Sequence, residues 1–104
     1  MAPLSVADLQ IDALQPRISQ GTRELKLSPG EHVILYTLAA RVGAVVAYRE
    51  IAYALGPPDG EVRNNTLARQ ISSLRRKLRD DADHPRYIET VRGIGYRLLA
   101  GRET

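Results

Sequence analysis

Between Leu9 and Leu27 the chain reads LQIDALQPRISQGTRELKL. Apolar residues recur there at every second position in short segments, Leu9 with Ile11 and Leu25 with Leu27, broken by Pro16 and the turn-like Gln20-Gly21. That period predicts short strands, so a small antiparallel sheet is expected over about 4–27. The period then changes. Ser28, Pro29 and Glu31 are spaced as an N-cap, a first helical residue and the far member of a capping box. Ile34, Leu35, Leu38 and Val42 give the helix they open its apolar stripe, and Gly43 is its predicted end. Val45-Val46 leaves room for a short bridging strand only. A second helix, about Tyr48 to Leu55, stops at GPPDG, where prolines and glycines remove the helical option.

A third helix is predicted over about 64–79, capped by Asn64 or Asn65. Leu67, Ile71, Leu74 and Leu78 fall within about 60° of one another on a helical wheel, which turns them toward the core. The opposite face is then Asn65, Arg69, Ser72, Ser73 and Arg76, with Arg63, Arg75, Lys77 and Arg79 on the flanks or ends. Beyond it DDADHP is loop, and RYIETV with GYRLL makes a hairpin over about 86–100, turning at Arg92 to Gly95. Gly93 and Gly95 are both expected to supply backbone angles closed to other residues, Tyr96 and Leu98 to anchor the hairpin, and Arg92 to project from its tip. Sheet, helical core over about 28–80 and terminal hairpin form an α+β layout. Three helices, the last one basic, followed by a wing make it a winged helix-turn-helix. With no internal repeat or linker, residues 1–104 read as one domain.

Charge sharpens this picture once it is divided along the chain. Residues 1–62 carry five basic and seven acidic side chains, whereas residues 63–97 carry nine basic and four acidic, so the formal +3 of the whole is concentrated in one third. Such a stretch is the footprint of a polyanion binder. Arginine, asparagine and serine on the outer face of a helix are also the side chains that hydrogen-bond base edges, while flanking cations meet phosphates. Cysteine is absent, which excludes disulfides and thiolate metal sites. No apolar run approaches membrane-spanning length and the N-terminus lacks the order of a signal peptide, so a cytoplasmic location is expected.

Three motifs carry a resemblance. LSPGEHVILYTLAARVGAVVAYREIAYALG, ISSLRRKLRDD and PRYIETVRGIGYRL together resemble the effector domain of the OmpR/PhoB family of two-component response regulators. The resemblance implies transcription regulation, with the third helix in the major groove, the wing in the minor groove and tandem copies on direct repeats. Base-facing positions would be Asn65, Arg69, Gln70, Ser72, Ser73 and Arg76; phosphate contacts Arg63, Thr66, Arg75, Lys77 and Thr90; and the minor-groove residue Arg92. The implied partners are double-stranded DNA, a second copy in tandem and, through the loop at 56–63, RNA polymerase. This chain has Gly56-Pro57 where relatives often have Trp-Gly, and Arg69 and Ser72-Ser73 depart from the usual helix, so base preference does not transfer. A receiver domain usually precedes the effector; either an excised effector or a stand-alone regulator fits this chain.

Competing chemistry is weaker. Asp80, Asp81, Asp83 and His84 read as a solvated helix exit rather than a hard-metal site, and Gly93 and Gly95 precede a strand, not the helix a phosphate loop requires. His32 has no evident triad partner, so neither catalysis nor a cofactor is expected. The alternative to DNA binding is a winged helix that docks an acidic protein partner through its third helix.

Overall fold

A computed structural model describes residues 2–56 and 64–100, with the backbone alone of Asn64 and Asn65. The strands β1 (Leu4–Val6), β2 (Leu9–Ile11), β3 (Arg17–Gln20) and β4 (Arg23–Lys26) pair antiparallel in chain order. Alternation turns Val6, Leu9, Ile11 and Ile18 inward, with Leu27 at the exit of β4 joining them. Helix α1 (Pro29–Ala40) opens with the capping box legible in the sequence. The Ser28 hydroxyl accepts from the Glu31 amide at 3.1 Å, and the Glu31 carboxylate accepts from the Ser28 amide at 2.9 Å.

Ile34, Leu35 and Leu38 are buried as predicted, but Val42 is 42% exposed. The helix ends at Ala40, three residues before Gly43, because the chain turns there and the Gly43 amide donates to the carbonyl of Leu98 at 2.8 Å. Val42 thus falls past the last helical turn, and Ala39 completes the buried stripe.

The bridging strand has more to do than its length announced. β5 (Val45–Ala47) leads into α2 (Tyr48–Leu55), then α3 (Asn64–Leu78), and the chain closes with β6 (Ile88–Val91) and β7 (Gly95–Leu98). β7 lies between β6 and β5, so the wing is a three-stranded sheet rather than a free hairpin. α1 packs against α2, α3, β1 and β7, and Leu67, Ile71, Leu74 and Leu78 of α3 are all buried in the shared core.

Only one of the two wing glycines needs its conformational freedom. Gly93 has φ +75° in a tight turn closed by the Ile94 amide on the Val91 carbonyl at 3.0 Å, where its position calls for a positive φ. Gly95, contrary to expectation, is needed for space: a Cβ there would lie 2.0 Å from the carbonyl oxygen of Val46 on β5. The bridging strand supplies the atom that excludes a side chain.

Glu31 is 4% exposed and also receives the Lys77 ammonium of α3 at 2.7 Å. Burial alone would raise its carboxyl, but hydrogen bonds from Lys77, Ser73 and the Ser28 amide outweigh burial and hold it below its ordinary 4.5. Two predictions follow from these contacts. Gly95→Ala should lower stability by about 1 to 3 kcal/mol through overpacking, and Gly93→Ala by about 1 to 2 through the positive φ. Chemical denaturation separates the causes, since Gly93→Asn should recover part of the second loss whereas Gly95→Asn should worsen the first.

A carboxyl depressed in the folded state stabilises fully above its unfolded value and ceases to do so as pH falls through its folded one. Melting temperature should therefore drop below about pH 4.5 in the wild type and drop less in Glu31→Gln. Parallel pH profiles would show that this carboxylate is not among the groups behind acid unfolding.

Candidate nucleic-acid interface

The last four carbonyls of a helix have no partner within it, and in α3 each finds one outside. Asp80 and Arg79 fold back, their amides reaching the carbonyls of Arg75 at 2.8 Å and Arg76 at 3.1 Å. Arg79 holds φ +58° to allow this, the left-handed closing residue of a Schellman turn. The other two partners come from the N-terminal sheet. Arg23 donates to the Lys77 carbonyl at 3.2 Å and Gln20 to that of Leu78 at 2.7 Å.

The same end of α3 holds the wing. The Asp80 carboxylate accepts the amides of Arg86 at 2.7 Å and Ile88 at 2.9 Å, with Tyr87 between them at 3.3 Å. One turn earlier, the Arg75 guanidinium donates to the Ile88 carbonyl at 2.7 Å and the Thr90 hydroxyl at 2.9 Å. Its Nε is buried without a partner among the described residues, so part of this side chain is committed to the protein interior. Tyr87 closes the junction, donating to Asp8 at 2.7 Å and accepting from Gln20 at 3.1 Å. Burial raises its phenol above the usual range, as does the carboxylate of Asp8. The run of acids after α3 is therefore not uniform: Asp81, Asp83 and His84 are exposed, while Asp80 is a structural acceptor.

With α3 fixed at that end, its solvent-facing strip can be read directly. Ala68, Arg69, Ser72, Arg76 and Arg79 are exposed. Several positions expected to bind DNA also make contacts within the protein. Gln70 lies on the flank facing α1, its amide within 3 Å of where a Cβ on Gly30 would stand. At 100° per residue it falls nearer the apolar stripe than the outer face. Ser73 is half-buried and shares a shallow groove with Glu31, and the Lys77 ammonium donates to Glu31 at 2.7 Å and to the Lys26 carbonyl at 3.2 Å, bracing α3 against α1.

Arg75 and Thr90, expected on phosphates, bond each other. Thr66 is half-buried beside Arg69 in a shallow groove that also includes Ser28 and Glu31. The side chain of Asn65, Arg63 and the loop from Pro57 to Arg63 lie outside the described residues.

The wing supplies the second exposed element. Arg92 and Ile94 stand at its tip, and Tyr48 at the start of α2 donates its amide to the Ile94 carbonyl at 3.0 Å. Glu89 is engaged across the strands by Arg97 at 2.7 Å. Among the described residues no carboxylate pairs with Arg69, Arg76, Arg79 or Arg92, while Glu31 and Glu89 are each held by a cation of their own. The unneutralised charge of this side is thus on α3's outer strip and the wing tip.

Comparison with known proteins identifies the family. Residues 22–98 match the family described as transcriptional regulatory protein, C terminal. The chain is 33% identical over 100 residues to protein PetR of Rhodobacter capsulatus, covering 91% of this chain and 42% of PetR. It is 30% identical over 93 residues to the KDP operon transcriptional regulatory protein KdpE of Escherichia coli, covering 89% of this chain and 41% of KdpE. The chain thus spans about two fifths of the length of these relatives.

Among solved structures, the Klebsiella pneumoniae RstA DNA-binding domain in complex with the RstA box superposes with a TM-score of 0.82 at 27% identity, covering 96% of this chain and 99% of that one. The DNA-binding domain of CpxR from E. coli also gives 0.82, at 28% identity, covering 98% of this chain and 100% of that one. Fold, match and relatives together show that the chain belongs to the OmpR/PhoB-type family of winged-helix transcriptional regulatory domains.

Proposed function

We propose that the chain binds double-stranded DNA sequence-specifically in transcription regulation, with α3 in the major groove and the wing tip over the adjacent minor groove. The observation that carries this reading is the exposed strip of Arg69, Ser72 and Arg76 beside the exposed Arg92, free of carboxylate partners among the described residues. Arg69 lies opposite the buried stripe near the middle of α3 and is assigned a bidentate base contact. Ser72 is short and next to it, suited to either a base edge or a bridging water. Arg76 and Arg79, toward the C-terminal end, are assigned to base or phosphate at the groove's edge, and Thr66 to phosphate. Arg92 is assigned to the minor groove, where narrow A·T-rich stretches strengthen the negative potential.

The likeness to the RstA DNA-binding domain, which is described in complex with the RstA box, supports DNA binding here. We further propose tandem occupancy of direct repeats and, in the complete regulator, control by a receiver domain; a relative in Mycobacterium avium is named response regulator MprA. No helix among the described residues is long and apolar enough to cross a membrane; a cytoplasmic location is proposed on the strength of the DNA-binding reading. The family is one of transcription regulators rather than enzymes.

Selection of duplexes from a random pool, followed by titration at several salt concentrations, tests the reading. Affinity should fall steeply with salt, by about one unit of log–log slope per phosphate contact. Arg69→Ala should leave the melting temperature in place and cost about 1 to 3 kcal/mol of discrimination at one or two adjacent base pairs. An unchanged preference at every position would remove Arg69 from the base-reading set. Salt-dependent binding with no preference for any selected site would favour a winged helix that uses its basic face for other partners.

A further inference from the structure

Ile94 is an apolar side chain in an unusual place, 53% exposed at the tip of the wing and two residues from Arg92. Single exposed apolar residues are common on protein surfaces and need no explanation by themselves. This one is held outward. Its amide is bonded to Val91 and its carbonyl to the Tyr48 amide, both at 3.0 Å, while the next residue, Gly95, is packed against the backbone of β5. The tip is therefore fastened to α2 and to the wing sheet at once, and the backbone has no freedom to turn Ile94 into the core.

Building on the DNA-binding reading above, we propose that Ile94 is a specificity-determining residue that rests on the minor-groove floor and rejects G·C pairs there. The minor groove shows acceptors on every base pair, and G·C alone adds an amino donor from guanine. An apolar side chain pressed on that floor leaves the amino group without an acceptor and without water, which is costly, whereas an A·T floor has no such donor to strand. Isoleucine is among the apolar side chains that minor-groove proteins bring against base steps, there as wedges that kink the duplex; here the wing tip rests it on the floor without insertion. Preference for A·T under the wing then has two independent sources. Arg92 responds to groove potential and is weakened by salt; Ile94 responds to a single exocyclic amine and is not.

Base analogues separate the two. In a duplex selected by the wild-type chain, adenines beneath the wing are replaced by 2,6-diaminopurine, which adds the minor-groove amine; in a second duplex those pairs are changed to G·C and the guanines then replaced by inosine, which removes it. The wild type should bind the diaminopurine duplex about fivefold more weakly, the lower end of the cost of one disfavoured base pair, and the inosine duplex about as well as A·T. Arg92→Ala should bind all these duplexes less tightly yet keep the diaminopurine penalty at high salt. Ile94→Ala and the β-branched Ile94→Thr, both at an exposed position where folding is spared, should reduce that penalty to less than about twofold.

A penalty of the same size in the wild type and both Ile94 variants would overturn the assignment while leaving DNA binding intact. Failure of the wild type to prefer its selected duplex over a scrambled one would overturn the DNA-binding reading and this inference together.

Discussion

The C-terminal turn of α3 is the constraint on which the rest of this molecule depends. A helix end presents four carbonyls that must be paired, and here the pairing is divided among the turn itself, Arg23 and Gln20 of the N-terminal sheet. Satisfying local backbone chemistry therefore fixes a tertiary relation, because the sheet cannot cap the helix without standing against its end. Asp80 extends the same logic forward. Its carboxylate gathers the amides that lead into β6, so the wing starts from a point set by α3.

The reading surface follows from that anchoring. Arg75 spans from α3 to β6 and ties the two exposed elements at a second point, one helical turn away from Asp80. β5 and the start of α2 hold the far side of the wing through Gly95 and Ile94. Two of the cations expected on phosphates also bond within this frame, Arg75 on the wing and Lys77 on Glu31. Among the described residues, Arg69, Arg76, Arg79 and Arg92 have no carboxylate partner and are exposed to solvent on this frame. Rigid presentation reduces the ordering cost of binding and makes the separation of helix and wing a property of the protein rather than of its ligand.

Much of this was legible in the sequence because it rests on local rules. The Ser28 to Glu31 capping box, the i, i+4, i+7 stripe of α3 and the alternation of the sheet strands all depend on neighbours within a few residues. What sequence reasoning missed depends on contacts across the chain. Gln70 is separated by some 40 positions from the Gly30 it covers, and nothing near it announces that α1 occupies its side. Lys77 looks like any basic surface residue until Glu31, from another helix, is brought beside it. Val42 had the correct spacing for the core, and was displaced by a hydrogen bond from Gly43 to Leu98 at the other end of the chain. Gly95 was singled out for the wrong reason, since its tight contact is with β5 and not with its own turn. Asp80 carried a readable hint, as the first acid after a helix whose end would otherwise disfavour it.

On the proposed reading, α3 and the wing engage DNA as one rigid unit whose spacing is set by Arg75 and Asp80. The most direct measurement inserts one base pair between the major-groove core and the A·T flank of a selected duplex, moving the flank by about 3.4 Å along the helix axis and rotating it. The account predicts that the wild type loses the contribution of the A·T flank on insertion, and that Arg75→Met, with its tether cut, binds the original duplex less tightly but loses less on insertion. Equal tolerance of the insertion by wild type and Arg75→Met would contradict it.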